Sequence, residues 1–259
     1  MNINKLVTVG MMSLMALVNV GCTAVTVTQA QGQRYVESER NLNHMYGSVV
    51  AFVKENRSGR LRSYCTGFYV RRDLIASAAH CFATPDPDMP FLDRPGVVGA
   101  RHEFHTYTQY INAGHSHTGP ANTATLTAIN EEQDVALLST DAVSRDFLTI
   151  NTVRPAIGAM VYSMGQPGGL PWVLTQGIVS QFEFNGETNV VESILATPGI
   201  YFGNSGGPLI DNNGCVIGVA GAVAFRQPIY GIFYPISNIV RLSPSLLVTR
   251  PASRQSPST

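Results

Sequence analysis

Charged residues are scarce in this 259-residue chain, at 13% of the sequence, and its 17 basic side chains balance 17 acidic ones. Without an excess of positive charge, the chain lacks the main driving force for binding nucleic-acid phosphates, and we expect no nucleic-acid partner. Long helical bundles rich in Glu, Lys and Ala are also disfavoured. The hydrophobic content of 44% is too high for a disordered chain, and the many Gly, Thr, Val and Asn residues favour β-structure with frequent turns.

Hydrophobic runs of transmembrane length are missing, and the run nearest to that length lies at the N-terminus. A short positive segment, Met1–Lys5, precedes fifteen mostly apolar residues, Leu6–Val20. This run is shorter than the roughly 20 residues that span a membrane, and it has the layout of a secretory signal. We therefore assign residues 1–22 to an export signal and expect a periplasmic, cell-envelope or extracellular protein.

Two kinds of processing fit this signal. Residues 19–22 (Asn-Val-Gly-Cys) resemble a bacterial lipoprotein site, at which Cys22 would be lipidated and would supply the protein's only attachment to a membrane. Asn19 stands where such sites usually carry Leu. Ordinary cleavage after Ala24 or Ala30, followed by free secretion, is the alternative.

Only four cysteines are present. Export permits disulfides, so the four can be sorted. Cys65 and Cys81 bracket a strand-turn-strand segment and are predicted to pair, closing a loop of a size that stabilises by about 3 kcal/mol. Cys22 belongs to the signal region. Cys215 lies in an apolar run, where we expect a buried free thiol rather than a nucleophile.

Short apolar runs separated by turn residues begin at residue 44 and form two series, with a break near Asp141–Pro155. In several runs, such as Thr123–Ile129, apolar and polar residues alternate with period two, which is typical of half-buried strands. The predicted strands are 48–53, 65–70, 74–77, 97–100, 123–129 and 135–138, followed by 160–163, 172–184, 190–195, 208–210, 216–224 and 230–236.

Strands without intervening helices indicate an all-β fold, either a sandwich or paired barrels, rather than a parallel α/β sheet. Only Ser237–Leu242 has the pattern of a short helix. The remaining predicted segments are a polar linker and a disordered tail. The boundaries that we assign are the linker at 23–43, two halves at about 44–145 and 155–236, and the tail at 244–259.

The segment Gly203–Pro208 (Gly-Asn-Ser-Gly-Gly-Pro) is the most informative stretch. It satisfies the G-x-S-x-G pattern of the nucleophile elbow in α/β-hydrolases, although glycine and serine are also common in turns. An α/β-hydrolase places its histidine after the serine, whereas all six histidines here precede Ser205. The elbow is therefore excluded, and the chain order His, Asp, Ser remains.

A histidine and an aspartate with suitable surroundings precede that serine. His80 follows a run that ends in small residues, and the predicted disulfide at Cys81 would hold its loop rigidly. Asp134 opens the apolar run Val135–Leu138, where burial would let its carboxylate orient an imidazole. Four other aspartates are nearer to His80 in sequence but lie in loop-like or proline-rich contexts: Asp73, Asp86, Asp88 and Asp93.

Four segments together resemble the trypsin/chymotrypsin-like serine peptidases: Cys65–Phe68, Ala78–Cys81, Asp134–Leu138 and Gly203–Pro208. Within this family, Gly165–Gly169 and Thr175–Ser180 are similar to the bacterial HtrA-type branch. The resemblance covers about residues 45–240. It implies a protease domain at 44–243, built from two perpendicular six-stranded antiparallel β-barrels with the active site in the cleft between them.

The resemblance further implies a serine endopeptidase that acts on polypeptides and needs no cofactor. Ser205 would attack the scissile carbonyl, His80 would take its proton, and Asp134 would orient the imidazole. The backbone amides of Gly203 and Ser205 would form the oxyanion hole. A catalytically silent binding module on the same fold, and an esterase or amidase, are the alternatives.

The specificity pocket follows from spacing relative to Ser205. Its walls would include Gly199, Val223 and Gly231, none of which is charged. Because a valine at position 223 would narrow the pocket, we expect small or medium apolar side chains at the cleaved residue.

The sequence departs from the family at two points. Asn204 replaces the aspartate with which a new N-terminus pairs in digestive members, so we expect that activation to be absent. Residues 237–259 are too few for the PDZ domain usual in HtrA proteins, and we expect the cleft alone to capture substrate.

Two pairs of histidines raise the question of a metal. His102 and His105 are three residues apart in a strand-like or loop segment, whereas zincin helices carry histidines four apart. His115 and His117 are interpreted as solvated loop residues. We therefore expect no metal site.

Overall fold

In the computed structural model, which describes residues 44–85, 93–223 and 230–247, the two series of apolar runs fold into two closed antiparallel β-barrels of six strands each. The prediction of an all-β fold with two six-stranded barrels is confirmed. The predicted signal and linker at 1–43 lie outside the described residues. Within the described ranges, no helix has the length and apolar character needed to cross a membrane.

The first barrel is formed by the N-terminal half. Its strands are β1 (Val49–Glu55), β2 (Leu61–Arg71), β3 (Leu74–Ser77), β6 (Arg101–Thr106), β7 (Asn122–Asn130) and β8 (Val135–Thr140). Their order around the barrel is β1-β2-β3-β8-β7-β6, and pairing of β6 with β1 closes it. Two short strands, β4 (Thr84–Pro85) and β5 (Asp93–Arg94), pair separately in the connection before β6.

The second barrel is formed by β9 (Met160–Gly165), β10 (Val173–Phe184), β11 (Val191–Ala196), β12 (Pro208–Asp211), β13 (Val216–Val223) and β14 (Gly231–Pro235). Its order is β10-β11-β14-β13-β12-β9, closed by β9 against β10. The predicted helix Ser237–Leu242 follows β14, and 3-10 helices occur at Ala79–Phe82, Pro167–Gly169 and Pro244–Leu247.

Three apolar cores explain why the sequence runs are apolar on both strand faces. Side chains alternate across a strand, so in β1 Val50 and Phe52 enter the core of the first barrel. Val49 and Ala51 point the other way, into a core shared with β9, β12 and β13 of the second barrel. The third core lies inside the second barrel. The shared core fixes the two barrels against each other and thereby defines the cleft.

The predicted strand at Val97–Ala100 is wrong. These residues form a turn, in which the Ala100 N–H donates to the Val97 carbonyl at 2.9 Å and Gly99 has a φ of +95°. The two valines are more than half exposed, so they do not supply a core face. The fourth strand of the first series is instead β6, which begins at Arg101.

Three smaller features also differ from expectation. The helix Tyr107–Asn112 was not predicted, although Thr106 and Gln109 form the capping box that marks its start. Residues 244–247, assigned to the tail, are a 3-10 helix, and the rest of the tail lies outside the described residues. Cys215 precedes β13 in a half-buried turn, where burial and the nearby Asp211 raise the pKa of its thiol.

Candidate active site

The strand register of the first barrel brings His80 and Asp134 to the same rim. β3 pairs with β8 so that Ser77 lies opposite Ala136. The 3-10 helix that carries His80 leaves the end of β3, and Asp134 is the residue before β8. Two segments that are 54 residues apart in sequence therefore meet because neighbouring strands end and begin side by side.

His80 and Asp134 share three hydrogen-bond contacts. The imidazole Nδ1 lies 2.8 Å from Asp134 Oδ2 and 3.0 Å from Oδ1, and the His80 backbone N–H donates to Oδ1 at 2.9 Å. Asp134 has a φ of 47°, a conformation that costs a non-glycine residue about 1–3 kcal/mol and is often found at functional sites. Its side chain is 16% exposed and that of His80 is 47% exposed. The carboxylate thus fixes one edge of an imidazole that remains accessible.

β2 connects this pair to the segment that carries Ser205. The disulfide between Cys65 and Cys81 is present, with 6.1 Å between the two Cα atoms. Next to it, the Thr66 N–H donates to the Ser205 carbonyl at 2.8 Å, and the Thr66 hydroxyl donates to the Gly203 carbonyl at 2.7 Å. One strand of the first barrel is therefore bonded to the residue after His80 and to the turn before β12.

The turn around Ser205 depends on glycine. Gly206 has a φ of +82°, and a Cβ there would collide with Ser77 Oγ and the Thr66 carbonyl oxygen. The Ser205 hydroxyl donates to the Gly221 carbonyl at 3.3 Å, and within the described chain it makes no hydrogen bond to His80. Such contacts are often long or misaligned without substrate and tighten in the substrate complex.

Hydrogen bonds to two carbonyls fix the orientation of the peptide groups that carry the N–H of Gly203 and the N–H of Ser205. The Gly168 N–H donates to the Phe202 carbonyl at 2.7 Å, and the Gly207 N–H donates to the Asn204 carbonyl at 2.8 Å. A trans peptide carries its N–H opposite its carbonyl. The N–H groups of Gly203 and Ser205 therefore point away from these donors, and neither has an acceptor among the described residues. Two backbone N–H groups without an acceptor can donate to an oxygen on which negative charge develops.

Asn204 is 4% exposed, and its side-chain nitrogen donates to the Gly199 carbonyl at 3.4 Å. Gly165 leaves space for it, since a Cβ on Gly165 would collide with Asn204 Oδ1. The buried side chain is a neutral amide and needs no counter-ion at this position.

The three residues assigned to the specificity pocket lie near one another along the second barrel. Val223 pairs with Gly231 in the β13–β14 ladder, and its side chain lies outside the described part. Gly199 is exposed. Sequence reasoning missed Ile200: its side chain packs so closely on Gly231 that a Cβ there would overlap it. The space beside Gly231 is thus already partly filled by an apolar side chain.

The histidine pairs expected from spacing are not the pairs that the fold creates. His102 packs on Phe82, and His115 is exposed near Tyr110. His105 and His117 instead approach each other, with their Nδ1 atoms 3.1 Å apart. Three other metal-ligating side chains cluster in the described chain, but two of them are the bonded Cys65 and Cys81, which cannot serve as thiolate ligands.

A double β-barrel with a histidine–aspartate pair and a glycine-bounded serine at the cleft has the architecture of chymotrypsin-like serine proteases. A family model described as "Trypsin-like peptidase domain" matches residues 65–219. This chain belongs to the trypsin-like peptidase family, as its motifs had indicated.

Curated relatives carry HtrA-type names. The chain is 33% identical over 129 residues to "Probable periplasmic serine endoprotease DegP-like" of Chlamydia trachomatis, covering 48% of this chain and 26% of that protein. It is 32% identical over 201 residues to "Serine protease HTRA1B" of Danio rerio, covering 73% of this chain and 40% of the relative. The chain thus spans less than half the length of these two relatives.

Solved structures share the fold. The active form of the Rv3671c protease from M. tuberculosis superposes with a TM-score of 0.60 at 19% identity, covering 92% of this chain and 97% of that one. A serine endoprotease from Yersinia pestis gives 0.58 at 20% identity, covering 81% and 66%. Both likenesses concern the double barrel itself.

Proposed function

We propose that this chain is a serine endopeptidase that hydrolyses peptide bonds through an acyl-enzyme, with His80, Asp134 and Ser205 as its catalytic residues. The observation that carries the proposal is the contact of Asp134 with both the backbone N–H and Nδ1 of His80. The N–H groups of Gly203 and Ser205, which have no acceptor among the described residues, support it. Membership of the trypsin-like peptidase family supports the same chemistry.

The residues divide the steps of this reaction among them. Asp134 accepts the Nδ1–H of His80, which leaves Nε2 as the basic nitrogen. His80 removes the proton of Ser205 as the hydroxyl attacks the scissile carbonyl, and the Gly203 and Ser205 amides hold the resulting oxyanion. His80 then protonates the leaving amine, and water hydrolyses the acyl-enzyme.

The pocket geometry supports small or medium apolar residues at the cleaved position. Ile200 occupies space beside Gly231, and Gly199 adds no side chain. In the described residues of this wall there is no charge that would pair with Lys, Arg or Glu of a substrate. Polypeptides with Ala or Val at the cleaved residue are therefore the proposed substrates.

We also propose that the protein is exported, with Cys22 as a lipid anchor. The Cys65–Cys81 disulfide is consistent with an oxidising compartment, and the Chlamydia trachomatis relative is named as periplasmic. Intact mass and N-terminal analysis of the mature protein tests this directly. A diacylglycerol adduct on Cys22 is expected, whereas an N-terminus after Ala24 or Ala30 would show free secretion instead.

Ser205→Ala tests the proposed chemistry. Wild-type protein should cleave casein and take one fluorophosphonate label on Ser205, and the variant should do neither. Ser58→Ala, which alters an exposed turn serine, is the matched control and should behave as wild type. Activity on activated esters without cleavage of unfolded protein would indicate an esterase. Absence of any label on folded wild-type protein would indicate a binding module.

A further inference from the structure

A cluster of aromatic and imidazole rings lies beside the loop that follows β9 and has no part in the chemistry above. This ring cluster consists of His105, Tyr107, Tyr110, His117 and Trp172. Trp172 contacts three of the other rings, with centroid distances of 5.5 Å to Tyr107, 5.3 Å to Tyr110 and 6.0 Å to His117. It is also the only tryptophan of the chain, which makes it a spectroscopic reporter of this place.

Trp172 is held in a costly backbone conformation. Its φ is 48°, in the left-handed region that non-glycine residues rarely occupy. The residue is 3% exposed and is fixed by two hydrogen bonds: its backbone N–H donates to Gln166 Oε1 and its indole N–H donates to the Val49 carbonyl, both at 3.0 Å. Such strain persists only where the surroundings enforce it, so the ring cluster and Gln166 act together on this position.

The contacts continue from Trp172 to the proposed oxyanion hole. Gln166 is fully buried, and its carbonyl accepts the Gly169 N–H at 3.0 Å. That carbonyl lies so close to Gly203 that a Cβ on Gly203 would collide with it. The same loop supplies the Gly168 N–H that orients the Phe202 carbonyl, and hence the amide of Gly203. A displacement of Trp172 would therefore reach the hole through Gln166 and Gly168.

The other side of Trp172 rests on His117, which stacks on His105. Their Nδ1 atoms are 3.1 Å apart, an arrangement that needs one N–H donor and one free lone pair, so at least one ring must be neutral. Both Nε2 atoms are buried without a partner in the described chain. If both rings were protonated, two donors and two positive charges would face each other.

The surroundings of this pair keep it neutral. Burial lowers the pKa of His105, against the opposing effects of Glu103 and the Gly119 backbone. Burial, with smaller effects from His105 and Arg62, lowers the pKa of His117 to about 4. The other titratable groups facing the pair are Tyr110 and, beyond it, the exposed His115.

We propose that Trp172 is a positioning residue for the oxyanion hole, and that the neutral His105–His117 pair holds it in place until acid protonates the pair. The inference rests on the proposed function, because the hole matters only if Ser205 is a nucleophile. Because an oxyanion hole stabilises the transition state rather than the bound substrate, we expect Trp172 to affect kcat rather than KM.

Fluorescence tests the physical link without any need for activity. In a Ser205→Ala background, emission of Trp172 should decrease as the pH falls, because an imidazolium stacked on an indole quenches it. The transition should disappear in Ser205→Ala/His117→Gln and remain in Ser205→Ala/His115→Gln, the matched control. A titration that is the same with and without His117 would overturn the proposal.

Kinetics test the link to the hole. At mildly alkaline pH, His117→Gln should lower kcat for a chromogenic peptide by about 10- to 100-fold, the scale of a small misplacement, with KM little changed. The ratio of wild-type to His117→Gln kcat should approach one in acid. Trp172→Phe keeps a ring but loses the bond to Val49, and should give a smaller loss.

Thermal melting and circular dichroism establish that each variant is folded at the assay temperature. Folded His117→Gln protein with unchanged kcat would make the cluster purely structural and overturn the positioning role. Failure of wild-type protein to react with a fluorophosphonate would overturn the proposed function, and with it the role at the hole. The fluorescence result distinguishes that failure from an error about the ring cluster.

Discussion

The two barrels hold their halves of the candidate site by different means. In the first barrel, His80 and Asp134 are fixed by the β3–β8 register, by their mutual hydrogen bonds and by the covalent bond from Cys81 to β2. In the second barrel, the Ser205 turn is fixed by backbone hydrogen bonds from Thr66, Gly168 and Gly207 and by glycines with positive φ.

This difference implies that the proposed base is built with the fold, whereas the proposed nucleophile and oxyanion hole are held largely by hydrogen bonds within and between loops. A bond between paired strands is lost only when the sheet opens. A single backbone hydrogen bond from a loop can be lost by a small local displacement, because local opening of loops costs much less than global unfolding. Activity should therefore be lost from the His80–Asp134 half only when a functional group or a covalent bond is removed. In the Ser205 half, a substitution that merely displaces the backbone should be enough.

The largest expected effect comes from removing the charge of Asp134. Asp134→Asn should keep the fold but stabilise the wrong imidazole tautomer, and we expect kcat for a peptide substrate to fall by about 10⁴-fold. Asp73→Asn changes an exposed aspartate paired with Arg71 at 2.7 Å, and it should leave kcat unchanged. A small loss of kcat in Asp134→Asn would show that the His80–Asp134 contact is structural and that these two residues do not limit the reaction.

Gly203→Ala tests the Ser205 half of the site by adding one methyl group, without removing any functional group. Gly203 has a φ of +99°, and its new Cβ would collide with the Gln166 carbonyl, so the amide should leave the hole and kcat should fall by about 10²- to 10³-fold. Gly99→Ala is a close control, because Gly99 has a φ of +95° and nothing within 4 Å of the new Cβ. Equal losses in both variants would trace the effect to backbone strain and not to the hole.

Removal of the Cys65–Cys81 disulfide tests whether the covalent bond is needed to hold His80. Replacing Cys65 and Cys81 together by serine should lower the free energy of unfolding by about 3 kcal/mol, measured by urea denaturation. The protein that remains folded should lose less kcat than Gly203→Ala, since Asp134 still holds His80. Cys215→Ser, at the half-buried free thiol, should leave stability nearly unchanged. A collapse of kcat without loss of stability would mean that the disulfide acts on the site directly.

Much of the fold and site could be predicted because strand alternation and the motifs are local signals. Asp134 and His80 stand at the ends of short apolar runs that the sequence marks as strands, and chain order alone removed the α/β-hydrolase interpretation. The turn at Val97–Ala100 was missed because a short valine-containing run has the composition of a strand, while exposure is decided by its neighbours. Ile200 and Trp172 were missed because the contacts behind their proposed roles join residues that are distant in sequence.

Ile200→Ala is expected to change which substrates are preferred and to leave the chemical step itself unchanged. It removes apolar volume beside Gly231 without touching either half of the site. A pocket difference of about one or two methylenes changes kcat/KM between substrates by roughly 10- to 200-fold, so preference should move from Ala or Val toward Leu. A peptide library measures this shift, and Ile157→Ala, at a 66% exposed side chain, should leave the profile unchanged. An unchanged profile in Ile200→Ala would exclude Ile200 from the pocket, and cleavage after Arg or Lys would refute the apolar pocket itself. If the preference shifts while the fluorophosphonate labelling rate stays constant, side chains of the second barrel select the substrate. The backbone that forms the proposed oxyanion hole then has no part in that selection.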